Sequence, residues 1–182
     1  MRAPTVLPSL ASLACLALTC SALGCGGSQK SFDGSVYRSG QVAFRVESPP
    51  AGWRQIQLDD AALAYRDDAH DAVILVNGRC GGKDDDTPLP ALTGHLIMGT
   101  TEREFLKEET IPFDGREARH TVLRAKLDGV PRVYDIYVAK KDGCVYDFVH
   151  VAPSRDRGEG READADFARF VGGFRTIGSG AL

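Results

Sequence analysis

Arg116-Glu-Ala-Arg-His-Thr-Val-Leu-Arg-Ala-Lys-Leu127-Asp128-Gly129-Val130-Pro-Arg-Val-Tyr-Asp-Ile-Tyr-Val-Ala-Lys-Lys141 is the stretch on which the fold turns. Asp-Gly between two runs of β-branched and aromatic residues is a strong short-range hairpin signal, because both residues tolerate the positive φ that a two-residue turn needs. The spacing predicts strands over 116–127 and 130–140. That register sets Thr121 opposite Ile136, Leu123 opposite Tyr134 and Leu127 opposite Val130, a mostly apolar face. The other face carries His120, Arg124, Lys126, Asp135 and Tyr137. Lys141-Asp142-Gly143 is a second turn, read as three residues with Gly143 left-handed. It sets Val138 beside Tyr146 and Ile136 beside Phe148, whereas a one-residue slip would turn Asp147 inward.

Working outward, Val42, Phe44 and Val46 alternate with polar neighbours as a half-buried strand that Pro49-Pro50 must end. Trp53 reads as a core plug, and Ala61 to Arg66 as a second strand followed by the polar turn 67–71. Ala72 to Val76 is a continuous apolar run suited to a strand covered on both faces. Thr87-Pro88 reads as a helix start, with Thr87 capping and Pro88 in the first turn. Leu89, Leu92, Leu96 and Ile97 then share one side, up to Gly99. Thr101 to Phe113 mixes helix and strand tendencies, and the strand is expected over its second half. Residues 154–160 read as a loop. Phe167, Phe170, Val171 and Phe174 mark a closing helix that Gly172-Gly173 can end. The fold class expected is α+β: an antiparallel-dominated central sheet of five to seven strands with helices packed on its faces.

The 182 residues, 43% hydrophobic and 26% charged, fit one domain with a real core. A formal net charge of −3 argues against a general nucleic-acid binder. The expected division is a signal peptide over 1–24, Cys25 and a flexible tether to 39, a single domain over 40–176, and a tail over 177–182. Arg2 followed by an uncharged apolar run from Val6 to Leu23 has the form of a secretory signal. An ordinary signal peptide or an uncleaved anchor is the other reading of this segment.

Ala22-Leu23-Gly24-Cys25 resembles the lipobox of bacterial lipoproteins, with Ala where Leu is commoner. The resemblance implies a diacylglycerol on Cys25, usually with an acyl chain on the freed amine. Such chains hold a protein on a membrane at about 0.8 kcal/mol per buried methylene. By resemblance to enterobacterial sorting, Gly26 after the cysteine implies the outer membrane of a bacterial envelope.

Residues 40–176 resemble the PsbP-like fold. The resemblance rests on Phe44-x-Val46 before Pro49-Pro50 and Trp53, on Ile74-Leu75-Val76-Asn77, on Leu127-Asp128-Gly129-Val130-Pro131 and on the Phe167–Phe174 helix. It implies an α/β/α sandwich and a role in binding or stabilising partners. No partner-binding residue carries over from it.

With Cys25 acylated, Cys80 and Cys144 remain in the exported domain, both at element ends, and a disulfide between them is expected. Two reduced, partly buried thiols are the alternative. His70, His95, His120 and His150 are dispersed without metal-ligand spacing, and the 84–86 aspartates lack the spacing of a calcium loop. Gly78-Arg79-Cys80-Gly81-Gly82-Lys83 lacks the order of a phosphate loop, and no Gly-x-Ser-x-Gly elbow stands before a helix. No catalytic residue, metal or cofactor is therefore expected. The expected role is a membrane-anchored binding or assembly module with an envelope protein as partner. The alternative is a small-ligand binder or enzyme using a cleft between the sheet and the 88–98 helix, with Asn77, Arg79 and His95 nearest. A purely structural envelope protein is a third possibility.

Overall fold

A computed structural model describes residues 30–49, 51–82, 86–154 and 161–178. The leader, Cys25, nearly all of the 154–160 loop and the end of the tail lie outside them. Among the described residues, eleven strands and two helices follow in the order β1 (Ser31–Phe32), β2 (Val36–Ser39), β3 (Val42–Arg45), β4 (Trp53–Ile56), β5 (Leu63–Asp67), β6 (Ala72–Cys80), α1 (Leu89–Leu96), β7 (Thr100–Phe113), β8 (Arg116–Leu127), β9 (Val130–Lys141), β10 (Cys144–Pro153), α2 (Arg161–Gly172) and β11 (Arg175–Thr176). A seven-stranded sheet runs β4-β5-β6-β10-β9-β8-β7, and a four-stranded one runs β1-β2-β3-β11. The large sheet is the one expected; the small sheet is additional. It begins inside the segment read as tether, where Ser31 and Phe32 pair with Arg38 and Tyr37.

Local chemistry explains the meander from β7 to β10. Asp114-Gly115, Asp128-Gly129 and Asp142-Gly143 all have positive φ at both residues, as a type I′ hairpin requires. Each turn joins two strands with no residue to spare, and the expected register between β8 and β9 is the observed one. The reading of the 141–143 turn is corrected: it has two residues, so Val138 opposes Asp147 and Ile136 opposes Val149. The inward Asp147 that the three-residue turn was meant to avoid is present, 2% exposed, and it accepts a hydrogen bond from Arg79 Nη1 at 2.8 Å. An ion pair thus replaces the apolar contact on which the register argument relied.

Other boundaries also moved. β7 is one strand over its whole length: Glu104, Lys107, Glu108 and Glu109 pair in register with β8, and the shifts after Thr101 and Phe105 leave Glu102, Arg103 and Leu106 outside the pairing. Thr87 makes no capping bond; Pro88 itself occupies the N-cap of α1. Trp53 is half-buried rather than a plug, because its indole N–H reaches out to Asp166 Oδ2 at 3.1 Å.

The large sheet is covered on both faces. On one, Leu92 and Ile97 of α1 pack on Leu123, Tyr134, Ile136 and Val138. On the other, α2 and the small sheet close a core of Phe44, Tyr65, Ile74, Phe148, Phe167, Phe170 and Phe174. Phe167 and Phe170 of α2 and Phe174 just past its end are at most 1% exposed, and each contributes about 1.5–3 kcal/mol by burial. Gly78 lets the two sheets approach: a Cβ there would lie 2.7 Å from Val42 Cγ1 and 3.3 Å from the Tyr146 ring.

Candidate functional site

Strand parity gathers titratable groups under the start of α2. Glu109, His120, Asp135, His150 and Asp67, from five different strands, all sit on the face of the large sheet that α2 and the small sheet cover. His120 stands directly opposite Glu109 and Tyr137, and His150 directly opposite Asp135. His120 Nδ1 lies 3.1 Å from Glu109 Oε1, and its Nε2 lies 2.8 Å from Asp135 Oδ1. Its ring stacks on Tyr137, with centroids 4.1 Å apart.

His150 sits in the opposite environment. It is 1% exposed, stacked on Phe167 with centroids 5.2 Å apart and met edge-on by Trp53 at 6.1 Å. Its Nδ1 is 3.6 Å from Asp164 Oδ1, beyond hydrogen-bonding distance. Its Nε2 has no hydrogen-bond partner among the described residues. Asp67 holds His70 Nδ1 at 2.5 Å and accepts from the Ala69 and His70 amides.

The two imidazoles are driven apart in acidity. Burial pushes His150 down to about 4 against the pull of Asp135 and Asp67, so the ring is neutral at neutral pH. Burial opposes charge on His120 as well, but Asp135 and then Glu109 outweigh it and raise its pKa above the ordinary imidazole value. Burial likewise works against Asp67, yet the hydrogen bonds from His70 and from the 69–70 amides keep its carboxyl below the usual range. Chemically, the row sets one imidazole, His120, between two carboxylates and leaves a second, His150, neutral among rings. Nothing in it sets a nucleophile beside a base. No group of three metal-binding side chains converges among the described residues.

No protein-family model and no curated protein matches the chain by sequence. Solved structures do. Cyanobacterial PsbP from Synechocystis superposes with a TM-score of 0.54 at 16% identity, covering 87% of this chain and 98% of that one. LpqN, involved in cell envelope biogenesis of Mycobacterium tuberculosis, gives 0.54 at 14% identity over 82% and 90%. The Saccharomyces cerevisiae Ran-binding protein Mog1p gives 0.53 at 12% identity over 84% and 97%. The fold is PsbP-like.

In this PsbP-like frame two of the ligand candidates from sequence have structural partners. Asn77 is spent on structure, accepting the Ala62 amide at 3.0 Å. Arg79 serves the inward Asp147. His95 is exposed in the last turn of α1, a helix whose apolar side fills the space above β8 and β9. Cys80 and Cys144 are joined directly across β6 and β10. A separate groove of about 420 Å³, lined by Lys30, Phe32, Tyr37, Gln55, Leu58 and Asp59 among others, opens between the small sheet and β4–β5. Sequence reasoning missed His150 as a buried group. Its signal was available: His150 shares parity with Tyr146 and Phe148, so it had to lie on the aromatic face.

Proposed function

We propose that the protein is a non-enzymatic binding or assembly module of the bacterial cell envelope, held on the outer membrane by acyl chains on Cys25, with an envelope protein as its partner. The observation that carries the reading is the Cys80–Cys144 disulfide, whose loop spans 64 residues. Such bonds persist in oxidising compartments and are rare in the cytosol, so the pairing supports export by the leader that ends at Ala22-Leu23-Gly24-Cys25. The fold neighbour LpqN, involved in cell envelope biogenesis, fits the same address. The non-enzymatic part is supported by the histidine row, whose groups are bound to one another or walled in by rings instead of facing an open cleft.

The test is metabolic labelling of the full chain in a bacterial host with a clickable palmitate, followed by membrane fractionation. Label on the wild type, none on Cys25→Ala, and recovery in the outer membrane with a co-purifying envelope protein are expected. Unlabelled protein that keeps its initiating methionine among cytosolic enzymes overturns the reading.

A further inference from the structure

We propose that the outward face of the small sheet, carrying Arg38, Arg45 and Arg175, docks on the anionic phospholipid headgroups of the leaflet that holds Cys25. This inference rests on the acylation reading given above.

The face follows from register. Phe32, Tyr37, Phe44 and Thr176 form one continuous row across β1, β2, β3 and β11. Phe32, Tyr37 and Phe44 of that row pack on the core. Alternation therefore turns the neighbouring rows outward. One of these is Val36, itself buried, with Arg45 and Arg175, and the other is Ser31, Arg38 and Ala43. Arg45 and Arg175 are exposed and Arg38 is half-buried. Among the described residues none of the three ion-pairs with a carboxylate; Arg175 instead donates to the Gly172 and Phe174 carbonyls, which fixes its position. Two acids border the face. Asp33 is occupied by the Ser35 and Val36 amides of its turn, and Glu47 follows β3 with its side chain against Gly173. The whole chain carries a net charge of −3, so a cluster of three arginines on one small sheet runs against the molecule's overall sign.

Chain length argues for the same partner. Only Gly26-Gly27-Ser28-Gln29-Lys30 separates Cys25 from β1, the edge strand of this sheet. Five residues reach at most about 18 Å when fully extended. An acylated Cys25 therefore keeps β1 and the sheet it edges within reach of the headgroups. Lys30 adds a further cation at the leash. Basic residues near an anionic leaflet each strengthen partitioning about fivefold at moderate salt.

Every described element lies between Ser31 and Thr176, so a chain of residues 26–182 keeps the entire described core and carries no lipid. Flotation of that chain with phosphatidylcholine vesicles, and with vesicles containing a third of phosphatidylglycerol, tests the surface. Binding to the anionic vesicles alone, lost at high salt, is expected. Arg38→Glu with Arg45→Glu weakens it by at least about 25-fold, while Arg38→Lys with Arg45→Lys retains it. Circular dichroism confirms that the variants are folded, and Arg45→Glu alone, at an exposed position, serves if the double reversal unfolds. Equal binding to both vesicles, or anionic binding that survives charge reversal, overturns the inference. If this chain ignores anionic vesicles while Cys25 is acylated in cells, docking fails and anchoring stands. Docking without acylation gives the reverse.

Discussion

His150 is strongly shaped by its surroundings. Its native pKa of about 4 lies below the 6.5 of a free imidazole, so the unfolded chain takes up a proton that the native one refuses. Stability contributed this way is whole above pH 6.5 and drains as pH falls from 6.5 towards 4, by about 3 kcal/mol in total. His150→Phe removes that dependence and leaves no orphaned ring nitrogen. The urea midpoint of the wild type is expected to fall relative to that of the variant between pH 8 and pH 5; a parallel fall would exclude His150 as the cause. His120 runs with the opposite sign. Its raised pKa gives stability that is complete below pH 6.5 and is lost as pH climbs through the native value. Asp135→Asn is expected to lower the His120 pKa in an NMR titration and to cost about 1–3 kcal/mol, most of it below pH 6.5. The polar face bearing His120 and Asp135 was legible from the hairpin register, since parity alone puts them together. Their burial was not, because it depends on α2, whose Phe167 packs on Tyr137, arriving from a distant part of the chain.

At the scale of elements, the Asp-Gly turns recur every 14 residues, at 114, 128 and 142, and this even spacing makes the two inner strands, β8 and β9, equal at 12 residues each. The middle turn was read correctly from sequence because apolar residues flank it symmetrically. The third was misread because the hydrophobic pattern argued against an inward Asp147, and a single ion pair from Arg79 reverses that argument. The first went unnoticed beside the charged and Pro-containing end of β7. β1 and β2 were hidden for another reason: strands of two and four residues leave too little periodicity to detect. Gly78 is the corresponding constraint between elements. Gly78→Ala forces its methyl against Val42 and Tyr146 and is expected to cost about 1–3 kcal/mol. Gly94→Ala on α1 has open space around the added methyl, and thermal melting should show it neutral or stabilised by comparison.

For the whole molecule, β6 beside β10 is the joint between the β4–β6 meander and the β7–β10 meander. Opening the disulfide at that joint by Cys80→Ala with Cys144→Ala is expected to remove up to about 4 kcal/mol, the loop-entropy value for 64 residues. Urea midpoints with and without reductant measure it, and reductant should not move the double variant. Sequence suggested this pairing from compartment and element ends. It could not place the two cysteines in register, since that follows from strand order. Both meanders assemble from neighbours in the chain, but the joint between them has to find its mate across α1 and three strands. Distant pairing of this kind is the slow part of reaching a native topology. A molecule denatured with its sulfurs still bonded already holds that mate in place. Diluted from urea, the oxidised chain should therefore recover its native signal sooner than the reduced one, and an organism that makes it gains most from oxidising it early, before the two halves search for each other.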